Sequence, residues 1–321
     1  MSKIFITRQI PGKAFARLGE SGHEVVVFPH DRPPTPDEII EMGKDASAVL
    51  TLLNVKWTGE LMDSLGKNLK IISNYAVGYD NIDVKAASER GIVVANTPSD
   101  EVNEAVAEFT WALILALSRR IVEGDEFGRK GAYKGWEPDI FLGRDVYGKT
   151  LGIVGLGRIG TMVAKRAKGF NMKVVYFNRS RDEAAEKELG IEFLDLDSLL
   201  RLSDYVTLHV PLTPETTHLI NTERLAKMKP TAFLINTARG GVVDEHALAQ
   251  ALREGKIAGA ALDVHENEPQ MNPEMMQMEN AILTPHIASA TVEVREKMTE
   301  QAVDSILKVL AGEKPENVVG F

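Results

Sequence analysis

The chain has 321 residues, more than one hydrophobic core ordinarily serves, so two domains are expected, each large enough to bury a core of its own. Hydrophobic residues make up 44% and charged residues 26%, a globular balance that excludes intrinsic disorder. Lys and Arg number 37 against 46 Asp and Glu, a formal charge of -9 that argues against nucleic-acid binding, while the absence of cysteine removes disulfides, thiolate catalysis and cysteine-ligated metals.

In chain order, MSKIFITR is a short apolar run whose flanks, Pro11 and charged residues, fit neither a signal peptide nor a membrane span. The longest wholly apolar stretch, Trp111 to Leu117, is too short to cross a bilayer, and a cytoplasmic location is expected, with no membrane partner. Runs rich in β-branched residues then recur (KIFITR, HEVVVF, SAVLTLL, LKIISNYA, GIVVANT), each followed by helical periodicity or a turn signal, an alternation that predicts parallel strands with crossover helices. Glu101 to Arg120 reads as one long helix, acidic at its start, apolar in its middle and closed by Arg119 and Arg120 in accord with the macrodipole.

After the connection GAYKGWEPDIFLG, a second series (TLGIVGLG, MKVVYFNR, SDYVTLHVP, AFLINTARG, IAGAALDV, AILTPH) predicts a six-strand, doubly wound sheet. The closing helical stretch, Thr291 to Leu310, has no natural place in that sheet and is expected to return to the first domain. The reading is therefore α/β throughout, with residues 1–99 plus 288–321 forming one domain and 100–287 a dinucleotide-binding domain.

Gly155, Leu156, Gly157, Arg158, Ile159 and Gly160 form a glycine fingerprint between a strand-like run and a helical segment. Gly155 permits a tight turn, Gly157 admits a pyrophosphate to backbone N–H groups, Gly160 permits close helix packing, and the helix N-terminus adds partial positive charge. NAD-binding proteins place an acid about 20 positions on to hold the ribose 2′-hydroxyl, but here VVYF runs into Asn178, Arg179, Ser180 and Arg181. Such a tetrad can receive a 2′-phosphate, so NADP(H) is expected to be preferred, with NAD(H) admissible. Arg179 and Ser180 carry that expectation, because Arg181 reads also as a solvated charge opening the next helix.

Six segments, NYAVGYDNID (74–83), DVYGKTLGIVGLGRIG (145–160), VPLTPET (210–216), INTARGGVVDE (235–245), AALDVHENEP (260–269) and LTPHIASAT (283–291), resemble the D-isomer-specific 2-hydroxyacid dehydrogenase family over nearly the whole chain. Within that family the similarity is greatest to the glyoxylate and hydroxypyruvate reductases. The resemblance implies two Rossmann-like domains, a flavodoxin-like substrate domain and a doubly wound NAD(P)-binding domain, with a cleft between them that closes over the substrate. It also implies a homodimer built through the long helix and the 120–145 connection.

The resemblance further implies a catalytic trio of Arg239, Glu268 and His286. The chemistry asks for the same groups: a cation for the substrate carboxylate, a hydride donor, and an acid for the carbonyl oxygen of a 2-oxoacid. An imidazole titrates near pH 6.5 and a neighbouring carboxylate favours its charged form, so Glu268 reads as the partner of His286. The resemblance places Val77 and Gly78, with Arg239 and His286, at the substrate. It places His209, Val210, Pro211, Thr216, Thr237, Ala238 and Ala288 along the cofactor, and Asp263 near the nicotinamide. No metal site is read.

Two residues depart from the pattern or admit two readings. Asn103 stands near a position where the family usually carries Thr, and Trp136 either helps set substrate size at a neighbouring subunit or packs an interface. Two further functional readings stay open: a sister dehydrogenase acting on phosphoglycerate, D-lactate, formate or phosphite, and a cofactor-sensing protein like the dehydrogenase-like corepressors. The short C-terminus is expected to leave no room for the appended regulatory domain of some phosphoglycerate dehydrogenases, and the lack of the corepressors' disordered tails favours catalysis.

Overall fold

The β-branched runs become strands in a computed structural model that describes residues 1–320. In chain order these are β1 (Lys3–Ile6), β2 (Glu24–Val27), β3 (Ala48–Thr51), β4 (Ile71–Asn74), β5 (Val93–Ala95), β6 (Thr150–Val154), β7 (Lys173–Phe177), β8 (Glu192–Phe193), β9 (Tyr205–Leu208), β10 (Phe233–Asn236), β11 (Gly259–Leu262), β12 (Ala281–Leu283) and β13 (Val318–Val319). They divide between two units, Met1–Val102 with the residues from Ala290 onward, and Asn103–Ser289.

In the first unit the sheet order is β13-β5-β4-β3-β1-β2, parallel except where β13 runs antiparallel to β5. The helix Val292–Leu310 belongs to this unit. Its first turn is capped by the Thr291 hydroxyl, which accepts from the Val294 N–H at 3.2 Å. It is tied to the sheet by the Ser73 hydroxyl, which donates to the Ala302 carbonyl at 3.1 Å, and by the Tyr75 hydroxyl, which donates to the Arg295 carbonyl at 2.8 Å.

In the second unit the order is β12-β11-β10-β9-β6-β7-β8, and every pairing is parallel. Helices cover both faces, so the strands are apolar on both sides and alternate residues enter different cores. Ile153 and Ile235 join one cluster with Trp111 and Val163; Val154, Leu208 and Leu234 join the other with Leu199 and Leu248. Among the described residues no helix is long and apolar enough to cross a membrane.

Three details differ from the sequence reading. The second sheet has a seventh strand, the two-residue edge β8, and the first gains β13; both are too short to show as β-branched runs. The long helix spans Asp100–Ser118 and not Glu101–Arg120, because Arg120 takes a left-handed φ of 54° and a separate helix, Ile121–Arg129, begins after it. The unit boundaries fall at Val102 and Ala290 in place of 99 and 288.

Gly152 in β6 marks how closely the sheet is covered: a Cβ there would overlap the Ser203 hydroxyl and lie 2.7 Å from Leu199 Cδ2. Gly152→Ala should therefore destabilise the second unit by about 1–3 kcal/mol. Urea denaturation checks this, and a midpoint equal to that of the parent chain would show that the helix can yield.

Candidate active site

A parallel sheet delivers the carboxyl end of every strand to one edge, and ligands of such sheets bind there, where the strand order reverses. In the second unit the reversal is at β6, which has β7 on one side and β9 on the other. The loops after β6, β9, β10, β11 and β12 carry the glycine fingerprint, His209–Thr216, Thr237–Arg239, Asp263–Glu268 and His286–Ala288 respectively.

The fingerprint forms a backbone cradle. Gly155 has φ +100°, and a Cβ on it would stand 2.7 Å from the carbonyl carbon and oxygen of His209. At Gly160 a Cβ would overlap the Gly155 carbonyl oxygen, so the helix Arg158–Ala167 can start here only with glycine. Nothing lies within 4 Å of a Cβ built on Gly157, which leaves the helix N-terminus open to an anion such as a pyrophosphate. The residues present thus fit a dinucleotide.

Asn178 shapes the cradle, since its Oδ1 accepts from the Leu156 N–H at 3.0 Å. Leu156 is buried and Ile159 half-buried, while Arg158 is exposed. Arg179 and Ser180 are exposed at the end of β7, with the Arg179 charge helping to hold the Glu215 carboxyl low after the larger effect of the Thr213 hydroxyl. Arg181 is different: Glu186 takes its guanidinium at 2.8 and 2.7 Å, an exposed pair that a 2′-phosphate would have to compete with. On the neighbouring loop, the Thr216 hydroxyl donates to the Pro211 carbonyl at 2.6 Å and fixes the turn that follows Val210. His209 places its ring 3.0 Å from the Thr207 hydroxyl, and burial pushes its imidazole down to about 3, which keeps it neutral.

The loop after β10 is braced by Asn236, whose amide donates to the Arg239 carbonyl and accepts from the Ala238 N–H, both at 3.0 Å. Thr237 is buried and bonds the Thr110 hydroxyl at 3.0 Å, and the Arg239 guanidinium donates to the Ala238 carbonyl at 2.7 Å. A Cβ on Gly240 would overlap the backbone of His265, so this loop and the one after β11 lie in direct contact.

Glu268 and His286 meet: Glu268 Oε2 is 2.9 Å from His286 Nδ1, and Glu268 Oε1 accepts from the His265 N–H at 3.0 Å. Burial pushes the Glu268 carboxyl up, but the His286 hydrogen bond and charge, with smaller help from His265, outweigh it and hold the group below its ordinary value. His286 itself sits at φ 55°, a left-handed conformation that costs a non-glycine residue about 1–3 kcal/mol.

Asp263 holds that conformation. It is fully buried, its carbonyl accepts from the His286 N–H at 2.8 Å, and its carboxylate accepts from the Thr284 hydroxyl at 2.6 Å, the Ile287 N–H at 2.9 Å and the Ala288 N–H at 2.8 Å. Both carboxylate oxygens are thus engaged by the loop that carries His286. These bonds also keep 287 and 288 with the second unit.

In the first unit, the loop after β4 carries Val77 and Gly78. The Asn96 amide donates to the Val77 carbonyl at 2.7 Å and the Asn74 amide to the Gly78 carbonyl at 2.8 Å. A trans peptide directs its N–H opposite its carbonyl, so the Gly78 N–H points away from Asn96.

Two residues that sequence reasoning passed over belong to the site. His265 and Glu245 are buried behind Glu268, His265 inside AALDVHENEP and Glu245 at the end of INTARGGVVDE. Their only signal in the sequence was membership of those segments. Among the described residues no group of three or more His, Cys, Asp or Glu side chains could hold a metal ion.

Comparison with known proteins agrees with this geometry. The family model described as D-isomer specific 2-hydroxyacid dehydrogenase, NAD binding domain, matches residues 111–288. A glyoxylate reductase of Thermococcus kodakarensis is 50% identical over 321 residues, covering 99% of this chain and 96% of that protein. A crystal structure of a Thermus thermophilus protein superimposes with a TM-score of 0.92 at 45% identity, covering 99% of this chain and all of that one. An NADPH-dependent glyoxylate/hydroxypyruvate reductase of Sinorhizobium meliloti, in complex with NADP and malonate, gives 0.87 at 32% identity, covering 99% and 97%.

Asp263→Ala would leave the hydroxyl and two N–H groups without their acceptor, at a cost on the order of 3 kcal/mol, and should lower Tm by roughly 6–12 °C. Calorimetry decides it; a variant that melts with the parent chain would show that the carboxylate anchors nothing.

Proposed function

This chain belongs to the D-isomer-specific 2-hydroxyacid dehydrogenase family, and from that membership we propose that it reduces glyoxylate, and hydroxypyruvate with it, to the 2-hydroxyacid, with a preference for NADPH. The observation that carries the reading is the His286–Glu268 pair at 2.9 Å, set on loops of adjacent strands beside Arg239.

The glycine cradle and the open N-terminus of Arg158–Ala167 hold the pyrophosphate, and the loops bearing Val210, Pro211, Thr216, Thr237, Ala238 and Ala288 line its path. Bound there, a reduced nicotinamide supplies the hydride that reaches the carbonyl carbon. Arg239 offers its guanidinium to the substrate carboxylate. Glu268 accepts from His286 Nδ1, which turns Nε2 outward as the nitrogen that gives its proton to the carbonyl oxygen while negative charge develops there. In the reverse direction the neutral ring takes the proton back.

The cofactor preference rests on Arg179 and Ser180, exposed where an acid would repel a 2′-phosphate. A homodimer completes the proposal. Of the exposed large hydrophobic side chains among the described residues, Ile121, Val122, Tyr133, Trp136, Leu142 and Tyr147 fall within one short stretch, the pattern of a surface that a partner covers.

Initial rates with glyoxylate and hydroxypyruvate, each with NADPH and NADH, test the assignment. Turnover with NADPH is expected, and its absence with both substrates would overturn the assignment. His286→Ala should lower kcat by about 10²–10⁴-fold while NADPH binding is kept. Arg179→Ala should weaken NADPH by roughly tenfold or more and leave NADH nearly unchanged; equal losses would remove the phosphate argument. Sedimentation should give about twice the mass of one chain, and Trp136→Asp should shift that toward one chain.

A further inference from the structure

His265 touches all three segments of the trio. Its N–H donates to Glu268 Oε1 at 3.0 Å, its Nε2 lies 3.0 Å from the carbonyl of Thr284, two residues before His286, and its own carbonyl abuts Gly240, next to Arg239. A carbonyl oxygen only accepts, so Nε2 carries a proton. Nδ1 then faces Oε1 of Glu245 at 3.7 Å, with both side chains 3% exposed. Glu245 is the first residue of the helix Glu245–Arg253, and the same Oε1 accepts from the Glu266 N–H at 2.9 Å.

We infer that His265 and Glu245 form a buried charged pair that positions Glu268 and keeps it ionised, which makes His265 a positioning residue for proton transfer by His286. Removing one partner of a buried pair is far costlier than removing both, so the acid and the imidazole each require the other. Burial opposes the charge on His265, but Glu245 and the Thr284 carbonyl outweigh it and raise the imidazole above its ordinary value. The ionisable groups around the ring are Glu245 from the helix and Glu268 from its own loop, with His286 beyond; Glu266 turns away to His218 at 2.6 Å.

The consequence is a pH effect of fixed sign. A positive ring lowers the pH at which Glu268 takes up a proton, and reduction requires Glu268 ionised to hold His286. Loss of the ring's charge therefore moves the acid limb of the rate profile to higher pH.

This inference rests on the proposed reduction, and wild-type turnover of glyoxylate tests that reading by itself. The variants are His265→Phe, His265→Gln and Glu245→Gln, compared by kcat against pH, NADPH binding and Tm. His265→Phe should lower kcat by about tenfold with NADPH binding unchanged. It and Glu245→Gln should move the acid limb up by roughly half a pH unit or more. His265→Gln, which can still donate to the Thr284 carbonyl but carries no charge, should recover kcat at neutral pH and keep the shifted limb. An acid limb that stays in place in Glu245→Gln and His265→Gln would overturn the inference, even where the Phe variant fails to fold. Independently of turnover, the ring ¹⁵N shifts of His265 in the wild-type protein, assigned by their loss in His265→Gln, should be those of an imidazolium at pH 7; a neutral ring would overturn it as well.

Discussion

The all-parallel sheet of the second unit is the constraint on which the site depends. Parallel strands require crossover helices on both faces, and those helices bury the strands' side chains on either side. Only the strand ends remain for chemistry, and parallel order puts one kind of end along one edge. Residues far apart in sequence are thereby brought together: Gly155 backs onto His209, and Gly240 onto His265, so closely that neither glycine tolerates a Cβ. The glycines are the negative image of the backbone they accommodate.

Within that frame the position of His286 is settled by competing magnitudes. A left-handed histidine costs about 1–3 kcal/mol, and hydrogen bonds to a charged acceptor return about 1.5–3 kcal/mol each. Asp263 accepts three such bonds with its carboxylate and a fourth with its carbonyl, so the strained loop is over-determined. The ring of His286 is then held by Glu268, whose other oxygen is fixed by the backbone of His265. Strain in the backbone is exchanged for a defined direction of the ring.

What the sequence discloses follows from where the physics is local. The cradle was legible because a turn, a close approach and a helix start demand glycine at three fixed positions. The pairing of Glu268 with His286 was legible because each sits in a recognisable segment after a strand and an imidazole calls for a carboxylate partner. Long-range roles were not legible. Asp263 reads as an acid beside a cofactor, and only the fold reveals that its oxygens are engaged by residues 284, 287 and 288. Arg181 and Glu186 are five residues apart, but whether the guanidinium meets an acid or a phosphate depends on how the chain turns between them. Strands of two residues, β8 and β13, leave no periodic trace at all.

Three histidines on one sheet edge show how environment assigns role to a single residue type. His209 is desolvated with only a hydroxyl as neighbour, so burial acts unopposed and the ring is neutral. His265 is desolvated too but faces Glu245, and the acid reverses the outcome. His286 stands partly exposed, with Glu268 on one nitrogen. His209 is neutral next to the cradle, where the N-terminus of Arg158–Ala167 presents a dipole that points at one place and does not vary with pH. The cradle after β6 is thus kept apart from His265 and Glu268 on the loop after β11, with β9 and β10 between them, and its field does not follow their protonation.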